Sequence, residues 1–250
     1  LAAGLELFLG DLPGRVDDTA FEGVDVVVHC AYMSRHTTLD EARAVNEDGT
    51  ARVLAASRKH GVGRFVFISS TGAHPEARSY YGRSKLLIEG SLDLERDLVI
   101  RPGLILGPGG LFERVRASLA SVGVVPVFEG GRQRIQTVHV EDLGRAIEKA
   151  IDDDRTGRFV VAEPEGIELR ELFKAIARRM GRRCVLVPLP AGPVLFALRA
   201  FEGLGVRLPL TSENVLGALS LRTQPSAADL EALGVRLRGT QRSLDDLLAG

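Results

Sequence analysis

Tyr81 and Lys85 stand four residues apart in Tyr81-Gly82-Arg83-Ser84-Lys85, shortly after an apolar run, Phe65-Val66-Phe67-Ile68, that stops at Ser69-Ser70-Thr71. Four residues make about one helical turn, so the phenol and the ammonium share a helix face. A free phenol titrates near pH 10. A fixed positive charge beside it favours the phenolate and brings proton exchange towards neutrality. An alcohol at the end of the preceding strand can hold a substrate oxygen in line. These are the parts needed to pass a proton at a carbinol or carbonyl carbon while a hydride moves. The bland alternative is a surface Tyr and a solvated Lys, and the serines that close the strand favour the chemical reading.

The elements that must position these groups read as alternating strands and helices. Leu5–Gly10 is a short apolar strand closing in Gly10-Asp11-Leu12, and Val24–His29 is a second, closing in Cys30-Ala31-Tyr32. A long helical pattern runs from about Thr38 to Lys59 with Ala42, Val45, Val53 and Leu54 on one stripe, and Gly61 and Gly63 punctuate its end. The Phe65–Ser69 strand, the Tyr/Lys helix to about Glu95 and a strand over Leu98–Arg101 follow. Near-continuous Val/Ile/Leu/Phe strands between helices predict a parallel sheet covered on both faces. Ligands of such sheets lie beyond the carboxyl ends of the strands. Here those ends are Asp11, His29-Cys30-Ala31, Ser69-Ser70 and Pro102-Gly103.

Beyond Pro102 the texture changes to a Gly/Pro-rich loop, Gly103–Gly110, and a helix over about Leu111–Ser121. Short strands are expected at Val124–Phe128, Ile135–Val138, Phe159–Val161 and Cys184–Val187. A helix opens at Val138-His139-Val140-Glu141-Asp142-Leu143, its acidic first turn complementing the helix dipole. Further helices are expected at about 168–180, 193–203, 212–219, 226–233 and 242–249. The expected partition is a dinucleotide-binding domain from 1–107 plus about 139–163, and a smaller, mostly helical substrate lobe from 108–138 plus 164–250.

A chain of 250 residues with 45% apolar content can bury a sizeable core. A net charge of −1 gives no footprint for nucleic acid or for a membrane surface. Cys30 and Cys184 lack metal-ligand spacing and read as free thiols in a reducing cytoplasm. No apolar run reaches the ~18 residues of a spanning helix, and no signal peptide is recognised at the start. A cytoplasmic chain with a small-molecule partner is expected.

With these residues in hand, the chain resembles the extended and atypical short-chain dehydrogenase/reductase superfamily, of the NAD-dependent epimerase/dehydratase type. The resemblance rests on Gly10-Asp11-Leu12, His29-Cys30-Ala31, Asn46-Glu47-Asp48-Gly49-Thr50, Phe67-Ile68-Ser69-Ser70, Tyr81-Gly82-Arg83-Ser84-Lys85, Arg101-Pro102-Gly103 and Val138-His139-Val140-Glu141-Asp142-Leu143, in this order. It implies a Rossmann-like doubly wound sheet and NAD or NADP as cofactor. It implies Tyr81 as catalytic acid/base, and Lys85 as the group that holds the ribose hydroxyls and lowers the Tyr pKa. Ser70 is the implied substrate hydrogen-bonder, with Ser69 or Thr71 as alternatives one register away. Asp11 and Leu12 would flank the adenine. His29, Cys30, Ala31 and Ser69 would line the cofactor, and Pro102, Gly103 and Leu104 would pass close to the nicotinamide. Asn46 and His139 read by default as structural hydrogen-bonders. Pairing of two copies through helices near 38–59 and 83–95 is the oligomer the resemblance suggests.

Three departures stand out. The superfamily's first strand and its Gly-x-x-Gly-x-x-Gly turn, which receives the pyrophosphate, are absent. The expectation is an N-terminally truncated sheet in which the Leu5–Gly10 strand has no neighbour and the Val24–His29 strand has a bare edge, without measurable dinucleotide binding by this stretch alone. The link between Ser70 and Tyr81, Gly72-Ala73-His74-Pro75, is short. Where many sugar-nucleotide enzymes carry Arg-Asp-Tyr, this chain has Ile135-Gln136-Thr137, with Arg132 and Arg134 near. The expected activity is that of an oxidoreductase or epimerase/dehydratase at a hydroxyl or carbonyl carbon. The alternatives are a non-catalytic dinucleotide-binding or assembly subunit, or an inactive piece of the enzyme.

Overall fold

Runs of Val, Ile and Phe too apolar to face water on either side pair into a parallel sheet, and the helices between them cover its faces. The computed structural model describes residues 6–34, 38–121, 123–206, 208 and 210–248. In chain order the elements are β1 (Val26–His29), α1 (Leu39–Arg43), a π-turn (Ala44–Asp48) running straight into α2 (Gly49–Lys59), β2 (Arg64–Ile68), α3 (Tyr80–Glu89) and β3 (Leu98–Pro102). Then come β4 (Leu104–Leu106), α4 (Gly110–Ser121), β5 (Val124–Phe128), β6 (Arg134–Ile135), β7 (Thr137–His139), α5 (Val140–Asp152) and β8 (Gly157–Val161). The last are β9 (Ile167–Glu168), α6 (Leu169–Arg179), β10 (Val185–Leu189), α7 (Ala191–Gly203), α8 (Ser212–Leu219), α9 (Ala227–Ala232) and α10 (Thr240–Leu248).

The central sheet has the order β1-β2-β3-β8, every pair parallel. Phe65, Phe67 and Val99 face Ile88 and Leu92 on and just beyond α3, with Val53 and Leu54 of α2 against them. Val66, Leu98, Ile100 and Val161 face the opposite way, onto Leu143, Ala146 and Ala150 of α5. Alternation along each strand therefore builds one core on each side of the sheet, the doubly wound arrangement expected from the sequence. Leu230 of α9 and Leu233 just after it join the α5 side, so this part of the late chain packs on the central sheet. A separate core gathers Phe112 and Leu119 of α4, Val125 and Val127 of β5, and Leu172, Phe173 and Ile176 of α6. No helix among the described residues is long and apolar enough to cross a membrane.

The expected strand over Leu5–Gly10 does not form. Residues 6–10 are exposed and irregular, and Leu5 lies outside the described residues. A strand is a pairing, and no described segment offers this one a ladder; only the narrow bridge between Asp11 and Arg15 closes the turn that follows it. The outer edge of β1 has no partner among the described residues. The Tyr/Lys helix ends at Glu89 rather than near Glu95. Beyond Gly90 the Asp93 carboxylate accepts from the Glu95 N–H at 3.1 Å, a local turn that competes with continued helix.

Candidate active site

Ser79 caps α3, its side chain accepting from the Gly82 N–H, so the helix starts at Tyr80 and places Tyr81 in its first turn, beside the end of β2. The turn after β2 is tight. The Gly72 N–H donates to Ser70 Oγ at 3.0 Å, and the Thr71 N–H donates to the Pro102 carbonyl at 2.9 Å. A Cβ on Gly72 would lie 3.4 Å from Ser70 Oγ and 3.7 Å from Tyr81 Cε1, so the two side chains meet across this glycine. Ser70 already accepts from Gly72, which leaves its own proton to donate to the Tyr81 oxygen. Burial raises the Tyr81 pKa above the ordinary phenol value, and the hydrogen bond with Ser70 opposes that rise. The residue as a whole is 41% exposed.

Gly82 makes this approach possible. A Cβ there would stand 2.4 Å from the Gly72 carbonyl oxygen and 2.7 Å from the Ala77 Cβ. Gly82→Ala must therefore push α3 off the turn. A loss of about 1–3 kcal/mol is expected from the overpacking, seen as a lowered midpoint in urea unfolding, together with weaker engagement of Ser70 by Tyr81.

Lys85 departs from expectation. Burial and the bond with Ser70 shift the Tyr81 pKa, and the Lys85 ammonium has partners of its own. It donates to the Ile68 carbonyl at 2.7 Å and lies 4.5 Å from the ring centres of both Tyr32 and Phe67. A desolvated ammonium takes the nearest carbonyl and the faces of aromatic rings. One turn along the helix, that acceptor is the end of β2 and not the phenol. Burial lowers its pKa to about 8, opposed by Cys30 and Glu89.

Other expected residues divide into rim and interior. The Asp11–Leu12 turn packs on the start of α2: a Cβ on Gly49 would lie 3.0 Å from Leu12 Cβ, and Arg52 donates to the Gly14 carbonyl at 3.2 Å. Cys30 and Ala31 are exposed beyond β1. Burial raises the Cys30 thiol pKa while nearby Lys85 lowers it. Pro102 and Gly103 cross the mouth of the sheet, with room at Gly103 only for hydrogen; a Cβ would lie 2.5 Å from the Gln136 oxygen. Leu104 follows, its N–H donating to that same oxygen at 2.7 Å.

The side chains of His29 and Ser69, by contrast, are buried in the interior. His29 is buried, stacked on Phe65 and Phe67, with Nε2 3.0 Å from Thr50 Oγ1 on α2. Strand alternation sends it into the α2 core. Burial, then Lys85, lowers its pKa to about 4. Because the folded value lies below the unfolded one, stability should fall as pH drops from about 6.5 through 4. The whole effect is on the order of 3 kcal/mol, to be read in urea midpoints that are flatter with pH in His29→Gln. Ser69 donates to Glu89 Oε1 at 2.5 Å, beneath the sheet end. Of the three alternatives Ser69, Ser70 and Thr71, Ser69 is the one held by Glu89.

Glu89 is the residue the sequence reading overlooked. Its carboxylate has no exposed surface and accepts from Ser69, from Arg101 twice (2.9 and 2.7 Å) and from Arg158 at 2.9 Å. Arg101 passes on to Gln224, which donates to the Thr71 carbonyl at 2.7 Å. The signal was present: 81, 85 and 89 form one i, i+4, i+8 stripe, and a carboxylate continuing it into the core needs a cation. Asn46 clamps the backbone of Met33 through both amide atoms, at 2.7 and 3.1 Å. His139 caps α5, accepting from the Glu141 N–H at 3.2 Å. Both are structural hydrogen-bonders, the default reading of each. Among the described residues no group of acidic, His and Cys side chains could hold a metal ion.

A doubly wound parallel sheet with a Ser–Tyr pair and a lysine at its mouth defines a class of dinucleotide-linked fold. The model of the NAD dependent epimerase/dehydratase family matches residues 5–162, and the chain belongs to that family. It is similar to the ceramide reductase of Caulobacter vibrioides (strain NA1000 / CB15N), at 31% identity over 206 residues, covering 77% of this chain and 62% of that protein. It is also similar to the mitochondrial NADH-ubiquinone oxidoreductase 40 kDa subunit of Neurospora crassa, at 27% identity, covering 58% of this chain and 39% of that protein. Among solved structures, MoeE5 in complex with UDP-glucose and NAD superposes with a TM-score of 0.72 at 19% identity, covering 97% of this chain and 84% of that one. That likeness shows the fold. The chain spans 62%, 53% and 19% of the lengths of the first three curated relatives it matches.

Proposed function

We propose that this chain belongs to an NAD(P)-dependent oxidoreductase or epimerase/dehydratase that acts at a hydroxyl or carbonyl carbon of a small molecule, with Tyr81 as acid/base. The observation that carries the reading is the Ser70–Tyr81 pair at the mouth of the sheet. Ser70 orients the substrate oxygen and, by donating to Tyr81, favours its ionised form. Tyr81 then gives or takes the proton at that oxygen. The nicotinamide, when bound, supplies or accepts the hydride.

The described residues fit the nicotinamide-ribose end of such a cofactor. Of the three N–H donors of an ammonium, Lys85 gives one to Ile68. Gly103 lets the chain after β3 lie close against the Gln136 backbone and Ala162. The Asp11–Leu12 turn stands beside the end of β1, where an adenine would lie. Of the two arginines near the substituted Ile135-Gln136-Thr137 stretch, Arg134 is spent on the Glu165 and Gly166 carbonyls. With the ceramide reductase as a relative, this favours a substrate without a sugar diphosphate. Two copies are proposed to pair along α1–α2 and α3, where Leu87 is 61% exposed.

Oxidation of reduced nicotinamide by the whole protein in the presence of long-chain ketones, and separately of UDP-sugars, tests the reading. Turnover with a ketone supports it, and no turnover with either class removes it. A second reading, a non-catalytic subunit of a larger assembly, is favoured by one observation: the Lys85 ammonium is engaged by the Ile68 carbonyl and the Tyr32 and Phe67 rings. Dinucleotide binding without turnover would select it.

A further inference from the structure

Lys85 is enclosed by groups from three elements. Tyr32 and Cys30 approach from the loop after β1, Phe67 and the Ile68 carbonyl from β2, and Glu89 from its own helix, with His29 nearby on β1. All but one belong to regular elements or act only through charge. Tyr32 is the exception: a loop residue whose ring lies 4.5 Å from the ammonium. It does not rest there loosely. Its hydroxyl is 2.8 Å from Ser84 Oγ, on the residue before Lys85, and its ring meets Tyr81 edge-on at 5.1 Å. The next residue, Met33, is pinned at both backbone atoms by the buried Asn46. A loop clamped at one residue and latched at its neighbour presents a fixed aromatic face.

We propose that Tyr32 is a positioning residue for Lys85: its ring, latched to Ser84, holds the ammonium against Phe67 and the Ile68 carbonyl and sets its distance from Tyr81. The ring is attracted to the cation and shields it from water, while the latch fixes the ring relative to α3. The same ring touches Tyr81, so one side chain sets the spacing of both members of the Tyr/Lys pair. The placement of Tyr32 rests on geometry alone; its consequence for turnover rests on the enzymatic reading above.

Four lysines, Lys59, Lys85, Lys149 and Lys174, make the test tractable. In protein labelled with 13C at lysine, the Lys85 signal is the one lost in Lys85→Met. In the wild-type chain its ε-protons should show NOEs to the Tyr32 ring and an upfield ring-current shift, and should titrate with a midpoint near 8. In Tyr32→Leu the upfield shift should shrink. The midpoint should rise, because water reaches the ammonium and favours its charged form. Absence of the wild-type NOE, which needs no variant, overturns the proposal. So does a Lys85 signal that Tyr32→Leu leaves in place. For the whole protein, Tyr32→Leu should raise the dinucleotide KM about tenfold, the scale of a desolvated cation–π contact, with a smaller change in kcat. If the NMR results appear without any wild-type turnover, Tyr32 still positions Lys85 and only the enzymatic reading falls.

Discussion

Replacing Tyr81 by Phe in the whole protein lowers kcat by about two to four orders of magnitude, the usual range for losing a positioned acid/base, and leaves the unfolding midpoint nearly unchanged. The substitution removes one oxygen and keeps the ring. The ring's edge contact with Tyr32 survives, and the residue is already 41% exposed. Only the hydrogen bond with Ser70 disappears from the resting structure. Ser70→Ala should lower kcat by a smaller factor. It should also shift the basic limb of the pH–rate profile upwards, because the donor that opposes the rise in the phenol's pKa is gone. The measurement is the steady-state oxidation of reduced nicotinamide against pH. Unchanged turnover in Tyr81→Phe would remove Tyr81 from the chemistry and leave the fold as a scaffold.

The second large effect concerns stability. Glu89→Gln should destabilise the chain by about 3–5 kcal/mol, because removing one member of a buried ion group strands its partners. Glu89 has no exposed side-chain surface and Arg101 is only 12% exposed, so Arg101 has no solvent to fall back on. Arg158, 39% exposed, can turn to water and adds little. Against a typical total of about 5–15 kcal/mol this is a large share, and it appears directly in the urea midpoint. The double change Glu89→Gln with Arg101→Met should cost less than the two single changes added together, since each single change strands what the other removes. Additive costs would show that the carboxylate and the guanidinium do not act as a unit. The effect extends to the site. Through Ser69 and Gln224 the same cluster fixes both sides of the turn that carries Ser70.

The chemistry-bearing residues and the central sheet were legible in the sequence because each has a local signature. Apolar runs of three to four residues between helical stripes give β1, β2, β3 and β8. The four-residue spacing of Tyr81 and Lys85 places them on one face of α3. What the pattern could not give was direction. Whether His29 and Ser69 look outward or inward depends on the pleat phase at the strand end. That phase is fixed by neighbours distant in the chain, Thr50 for one and Glu89 for the other. The strand over Leu5–Gly10 failed for a related reason. Apolar composition permits a strand, but pairing makes one, and its ladder is not local. The lowered phenol pKa failed because spacing along a helix fixes where a side chain starts. The nearest acceptor, here Ile68, decides where it ends. Glu89 and Tyr32 were overlooked because a lone glutamate and a loop tyrosine become informative only when their partners are known.

Tyr32, Tyr80 and Tyr81 are all the tyrosines of a chain that has no tryptophan. The three phenols are gathered around Ser84 and Ser70. Its aromatic ultraviolet spectrum above 280 nm is therefore a built-in optical probe of one corner of the molecule. Ionisation of a phenol, entry of a ligand or a swing of the loop after β1 registers there without any label, while the distant helices contribute no chromophore to obscure it.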